Sequence, residues 1–321
     1  MGWCMKILIT GASGFIGGRL LVYLAGIPHV EVRGVGRRPL PHSPYYRALA
    51  LERLDELDFR PQVVIHAAGR ASPWGTAQAY YRDNVETTRH VTAFCRRNGL
   101  PRLIFLSSAA VYYRFAHQYA LHEDTAIGPP FTSEYGRSKY LAEQLLADYP
   151  GEKTVLRPCG IFGAGDSLLF PPLIAAARKR QLVRLRAENT PARTDLLHVD
   201  ELCDYLWRAA NHALLQPCYN LSADAPVVVE TLLDEVLTQM ALPLPQRTMD
   251  VATALRFAGA MERLWRWLPL RGEPPITRFG VGVFGYSATL DVTRMLADFG
   301  PPGRTFSATL SAFLQQQEKQ K

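Results

Sequence analysis

A chain of 321 residues can build one large domain or two smaller parts around a shared core. With 48% hydrophobic and 20% charged residues it is globular rather than disordered. Its 36 Lys and Arg against 29 Asp and Glu leave a charge of +7, which favours an anionic ligand. The basic residues form no run of the kind that binds nucleic acid, and a solvated basic surface is the plainer reason for the excess. Five cysteines, at 4, 95, 159, 203 and 218, form no CxxC pair, which argues against a disulfide framework and against a zinc site. No cationic leader or membrane-spanning apolar run is visible, so the expectation is a cytoplasmic protein with no metal and no integral membrane segment.

The chain opens with "KILITGASGFIGGRLLVYLAG": a short apolar run, a glycine turn, then a helical pattern through Leu20, Leu21 and Leu24. "VEVRGVG" reads as a second strand and "PQVVIHAAG" as a buried one. "YYRDNVETTRHVTAFCRRNG" is a helix stopped at Gly99, and "RLIFLSS" another buried strand. "EYGRSKYLAEQLLADY" is a helix ended by Pro150 and Gly151, and "KTVLRP" a further strand. Strands alternating with helices predict an α/β fold with a doubly wound parallel sheet. After Pro158 the alternation stops, and the strand–helix piece "DLLHVDELCDYLWRAANHAL" is expected to return to the main sheet. The predicted division is 1–157 with 193–222 for the sheet domain, and 158–192 with 223–321 for a smaller, mostly C-terminal lobe.

Gly11, Gly14 and Gly17 stand at three-residue intervals between a strand and a helix. Such a turn lets the backbone approach a pyrophosphate, and the helix N terminus offers free N–H groups. The turn and first helical residues, Gly11, Ser13, Gly14, Phe15, Ile16 and Gly17, are the expected cradle of a dinucleotide. Where an acid would meet the ribose of NAD, the second strand ends in Gly36, then Arg37 and Arg38. Guanidinium groups suit a 2′-phosphate, so NADP(H) is favoured over NAD(H), unless both arginines are simply solvated.

Tyr135 and Lys139 lie one turn apart on one helix face. A phenol titrates near ~10 in water, and a neighbouring cation favours its phenolate. Ser107 and Ser108 close the "LIFLSS" strand, where α/β sheets hold their ligands. A Ser and a Tyr there would polarise a carbonyl while hydride arrives from a nicotinamide.

Together "TGASGFIGG", "HAAG", "DNVETT", "LSSAAVYY", "YGRSK", "LRPCGIFGAGD" and "LLHVDEL" resemble the extended short-chain dehydrogenases/reductases, the NAD-dependent epimerase/dehydratase superfamily, over about residues 5–222. The resemblance implies a Rossmann fold and a catalytic set of Ser108, Tyr135 and Lys139. It also implies cofactor contacts from His66, Ala67, Ala68 and Gly69 and from Pro158, Gly160 and Ile161, and a homodimer joined through the helices near 82–98 and 134–148. His66 taken alone reads as a satisfied buried histidine, and Asn84 as support for helix–strand packing. "ALALERLDELDF" lacks the Gly-Asp pair that meets adenine in many relatives. The Asn and Arg typical of sugar-nucleotide enzymes are also missing after "LRP" and before "HV".

"RPCGIFGAGDSLLFPPLIAAARK", "ASPWG" and "PPITRFGVGVFGYSATLDVTR" are more similar to the 3β-hydroxysteroid dehydrogenase branch, and within it to 2-alkyl-3-oxoalkanoate reductases. That implies an oxidoreductase acting on the keto or hydroxy group of a small apolar substrate. The alternatives are a nucleotide-sugar epimerase or dehydratase holding NAD tightly, and a non-catalytic NADP sensor. Trp74, beside the expected cofactor site, would wall the substrate pocket or merely fill a loop. "ALRFAGAMERLWRWLPL" places Leu255, Ala258, Leu264, Trp265 and Leu268 near one helical face, to pack in the lobe, cap a substrate or touch a membrane surface. Arg178, Lys179, Arg180, Arg184 and Arg186 would attract a carboxylate or a phosphopantetheine carrier, or form a solvated face.

Overall fold

A computed structural model describes residues 4–40, 43–268 and 272–319 of the chain. Pro269 and Leu270, which end the Trp-rich stretch, and the last two residues of the polar tail lie outside the described residues.

Seven strands form the main sheet: β1 Met5–Thr10, β2 Val30–Gly36, β3 Tyr46–Ala48, β4 Val63–His66, β5 Arg102–Leu106, β6 Lys153–Pro158 and β7 Cys218–Leu221. They lie in the order β7-β6-β5-β4-β1-β2-β3, and every pairing is parallel. This is the expected doubly wound sheet, its order reversing between β1 and β4. Alternate residues divide its two faces. Ile7, Ile9, Ile65 and Ile104 pack with Leu20, Leu24 and Leu206, while Leu8, Val64, Leu103 and Phe105 pack with Val91, Phe94 and Leu146.

The covering helices are α1 Phe15–Ala25, α2 Thr87–Arg97, α3 Glu134–Ala147 and α5 Val199–Asn211. The expected helix is continuous: it starts at Ala77, passes through a π turn at Tyr81–Glu86 and runs on into α2, with helical backbone at both joins. The remaining helices include α4 Phe170–Arg178, α6 Val229–Gln239, α7 Val251–Trp267 and α8 Arg278–Gly285. The expectation for "DLLHVDEL" fails: Leu196–His198 pairs with Gly160–Phe162 in a separate two-stranded sheet. The strand that does return to the main sheet is β7, which pairs with β6.

A buried polar network ties α3 to three strands. Arg157 of β6 grips Glu143 of α3, Nε to Oε1 at 3.0 Å and Nη2 to Oε2 at 2.7 Å. Ser107 donates to the same carboxylate, and the Tyr112 hydroxyl donates to Asn220 Oδ1 of β7 at 2.9 Å. Both members of the ion pair are only 8% exposed, so neither charge has water to fall back on. Arg157→Ala would leave Glu143 buried and unpaired. The expected loss is about 3–5 kcal/mol, read as a lower urea midpoint. A midpoint within error of the parent would refute the assignment.

Candidate active site

The carboxyl ends of β1, β2, β4, β5 and β6 open on one cavity of about 1600 Å³. At the end of β1, Gly11 takes φ +74°, and a Cβ there would stand 2.6 Å from Ala68 Cα. Only glycine lets this turn lie so close to the turn after β4, at the point where the strand order reverses. No side chain caps α1, and Ser13, Gly14, Phe15, Ile16 and Gly17 all line the cavity. An uncapped helix N terminus behind a glycine-rich turn fits a pyrophosphate.

Beyond it, Gly36 closes β2. A Cβ at that position would lie 2.6 Å from Ser13 Oγ and 3.0 Å from the Tyr46 hydroxyl, so the place has no room for an acid. Arg37 and Arg38 line this end of the cavity. The Arg37 guanidinium is 3.3 Å from Asp83, with its side chain 70% exposed, and Arg38 donates to the Ser13 carbonyl. Asp83 also receives Arg70 at 3.0 Å and Arg82 at 3.1 Å. Burial alone would push its pKa up, yet hydrogen bonds from Arg82 and Arg70 hold it below the usual carboxylate range. Leu51 and Glu52, from the turn after β3, complete the wall on this side. They belong to "ALALERLDELDF", the segment that lacks a Gly-Asp pair.

Ala67, Ala68 and Gly69 line the cavity after β4, whereas His66 does not. Its ring is fully buried, with Nδ1 2.7 Å from Thr10 Oγ1 and Nε2 3.0 Å from Thr88 Oγ1. Burial, reinforced by the Lys139 charge, depresses its pKa to about 3, so it is neutral. The ring of His66 is the satisfied buried histidine that it reads as alone, joining strand to helix, and the alanines after it face the cavity. Asn84 performs the role expected of it. Its Oδ1 accepts from Arg70 N–H at 2.6 Å and its Nδ2 donates to Ser138 Oγ at 2.7 Å, tying this loop to α3.

The two serines after β5 diverge. Both line the cavity, but the Ser107 hydroxyl is spent on Glu143, while Ser108 accepts from the Ala110 N–H at 3.2 Å. Ser133 caps α3 by accepting from Gly136 N–H at 3.0 Å. A Cβ on Gly136 would lie 2.5 Å from the Ala110 carbonyl oxygen, so glycine is what allows α3 to sit this near the serine loop. That approach brings Tyr135 to Ser108. Burial pushes the Tyr135 pKa above its ordinary value, and a hydrogen bond with Ser108 opposes the rise. Tyr80 and Phe279 stand against the Tyr135 ring at 6.4 and 6.3 Å, and Tyr113 stacks on Phe279 at 6.4 Å.

Lys139, one turn on, is buried and donates from Nζ to the Leu106 carbonyl at 2.7 Å, above the Phe105 ring. Burial brings its pKa down to about 8, against an upward pull from Glu143. Burial is thus the larger influence on the Tyr135 phenol, and the Ser108 hydrogen bond the smaller, opposing one.

Pro158, Gly160 and Ile161 line the cavity after β6, joined by Cys159. Trp74 does not line it: Pro73 takes that place, and the Trp74 ring carries the Arg266 guanidinium at 5.5 Å. Past Tyr135 the cavity runs between α4, α6 and α8, with walls including Leu173, Leu233, Leu237, Phe279 and Phe284. The basic cluster is partly consumed nearby, Arg184 by Asp234 at 2.8 Å and Arg186 by Glu230 at 2.7 Å.

Comparison with known proteins agrees with this geometry. The model of the NAD dependent epimerase/dehydratase family matches residues 7–221. A 2-alkyl-3-oxoalkanoate reductase of Stenotrophomonas maltophilia is 32% identical over 295 residues, covering 86% of this chain and 88% of that protein. A 4-hydroxy-2-methyl-3-oxo-4-farnesyl-3,4-dihydroquinoline-1-oxide ketoreductase of Stigmatella aurantiaca is 28% identical over 316 residues, covering 94% and 92%. Among solved structures, a short-chain dehydrogenase/reductase superfamily protein of Agrobacterium tumefaciens with bound NAD superposes with a TM-score of 0.75. It shares 21% identity, and the match covers 98% of each chain. Sheet order, glycine turn and family match together place this chain in the NAD dependent epimerase/dehydratase family, as an NAD(P)-dependent enzyme of the extended short-chain dehydrogenase/reductase type.

Proposed function

We propose that this enzyme is an NADP(H)-preferring oxidoreductase that reduces or forms a keto group on an apolar substrate of the β-keto acyl kind. The observation that carries the reading is the cavity itself. It is continuous from the glycine turn, past Ser108 and Tyr135, to a wall of leucine and phenylalanine side chains. An apolar chain placed there loses its contact with water at no cost in unpaired polar groups. The Stenotrophomonas and Stigmatella relatives, whose names describe reduction of keto groups on alkyl- or farnesyl-bearing molecules, support the same class.

A bound nicotinamide dinucleotide supplies or accepts the hydride. The chain's own residues handle the substrate oxygen. Ser108 holds it by a hydrogen bond, and Tyr135, kept protonated by burial, gives it the proton that completes the alcohol. In the oxidative direction the proton returns to the Tyr135 oxygen. Lys139, fixed on the Leu106 carbonyl, stands where its ammonium faces the cofactor side of the cavity beside Gly69. Residues 1–157 with 193–222 then form the cofactor part, and 158–192 with 223–321 the substrate part. A homodimer through α2 and α3 completes this reading, which light scattering would test.

Tyr135→Phe should lower kcat by about 10²–10⁴-fold while cofactor still binds, followed by nucleotide fluorescence titration. Unchanged NADPH oxidation in that variant would sink the assignment. The Arg37→Ser/Arg38→Ser pair should weaken NADPH by roughly 10²–10⁴-fold and leave NADH nearly unchanged, since each guanidinium–phosphate bond contributes about 1.5–3 kcal/mol. Equal losses for both cofactors would show that the arginines do not read a 2′-phosphate. A purified sample that retains stoichiometric NAD(H) and turns over nucleotide sugars without net NADPH loss would favour an epimerase instead.

A further inference from the structure

Helix α7 has two apolar faces, and only one is used. Val251, Ala254 and Ala258 are buried against Val281 and Ala187. Leu255 and Trp265 are partly buried. Leu264 and Leu268, expected with them, instead face outward at 44% and 47% exposure, with Phe257 at 54% and Trp267 at 86%. Phe257, Leu264 and Trp267 are spaced seven and three residues apart, which stacks them along one side of the helix. Thirteen large apolar residues are exposed among the described residues. Four fall within these twelve positions and the other nine are spread over residues 22–244, so this is a patch and not scatter.

The exposed charge on α7 itself is mostly of one sign; Glu273, also exposed, is hydrogen-bonded to Ser72 beside the Trp74–Arg266 contact. Arg256, Arg263 and Arg266 are all exposed on α7. The one acid within the helix, Glu262, accepts the Arg278 N–H at 2.8 Å and is turned toward α8. Asp250, at the helix start, caps Thr253 N–H at 3.1 Å, a long way from Trp267. A second copy docked on this face by two-fold symmetry would bring the same arginines together. An anionic bilayer accepts both features: Trp, Phe and Leu enter the headgroup–acyl boundary while the arginines meet phosphates. Phe257 also lines the cavity, so the cavity wall turns into the outer surface within this patch.

We propose that α7 docks this enzyme on the surface of an anionic phospholipid bilayer through Phe257, Leu264 and Trp267 flanked by Arg256 and Arg263. The cavity then opens toward the lipid, and an apolar substrate enters without crossing water. Only this last step rests on the function proposed above. Among the described residues no helix is long and apolar enough to cross a membrane, so the attachment is peripheral.

The test is co-sedimentation of the full chain, without substrate, with vesicles of equimolar phosphatidylglycerol and phosphatidylcholine, and with vesicles of phosphatidylcholine alone. The chain should pellet with the anionic vesicles and stay largely in solution with the neutral ones. Leu264→Asp/Trp267→Asp should abolish binding, and Arg256→Gln/Arg263→Gln should weaken it roughly tenfold or more. Both variants should keep the parent's thermal midpoint and NADPH affinity. Parent protein that remains in solution with anionic vesicles overturns the proposal, as does undiminished binding by the Asp variant. A Trp267→Asp change that instead splits an oligomer, with no vesicle binding by the parent, assigns the face to a second copy and overturns it too. Because binding is read without turnover, its failure leaves the active-site reading standing, and the converse holds.

Discussion

The site depends on one buried carboxylate. Glu143 lies two turns from Tyr135 and one from Lys139 on the same face of α3. It accepts from Ser107, the neighbour of Ser108, and from Arg157, the neighbour of Pro158. Three segments that line the cavity, α3, the loop after β5 and the end of β6, are thereby pinned at one point. Burying such a pair contributes little net stability, because desolvation offsets the attraction, but it makes the alternatives expensive. The charge also acts on the chemistry, since Glu143 draws the Lys139 pKa upward against its burial.

Two glycines set the remaining distances. Gly11 allows the turns after β1 and β4 to touch, and Gly136 allows α3 to approach the loop after β5. Both place backbone where any side chain would collide, so the relative position of cofactor cradle and Tyr135 follows from sterics. Burial then acts on the phenol: Tyr135, with Tyr80 and Phe279 against its ring, has its pKa pushed above the ordinary value.

Local chemistry was readable in the residues, while long-range pairing was not. The strands at 5–10, 63–66 and 102–106 show themselves because both faces are covered, giving near-continuous apolar runs; those at 30–36 and 153–158 are interrupted by charged residues and show themselves by their β-branched residues and their place in the strand–helix alternation. β3 and β7 were missed: "YRA" lies at the sheet edge with little burial, and "CYNL" carries a buried Asn satisfied by Leu121 and Asp291 carbonyls far along the chain. "LLH" has a strand pattern, yet nothing local says that its partner is Gly160–Phe162. Asp83 among three arginines, Leu51 with Glu52, and Tyr113 on Phe279 were invisible for the same reason. For Trp74 two readings stand in the sequence because aromatic character alone does not say which side of a loop a ring takes; here it lies off the cavity, against Arg266. The α7 pattern misled because the helix is apolar on two sides, and composition cannot tell the packed side from the bare one.

The central claim is hydride transfer to a keto carbon with a proton from Tyr135, and isotope tracing tests it most directly. NADPH deuterated at C4 of the nicotinamide, on the face from which transfer occurs, is incubated with the enzyme and a 2-alkyl-3-oxoalkanoate, and the product is analysed by mass spectrometry. The expected result is a 3-hydroxy product with a single deuterium on the carbinol carbon and stoichiometric oxidation of the cofactor. A product without deuterium from either C4 face, or one formed while the cofactor pool stays reduced, would contradict it.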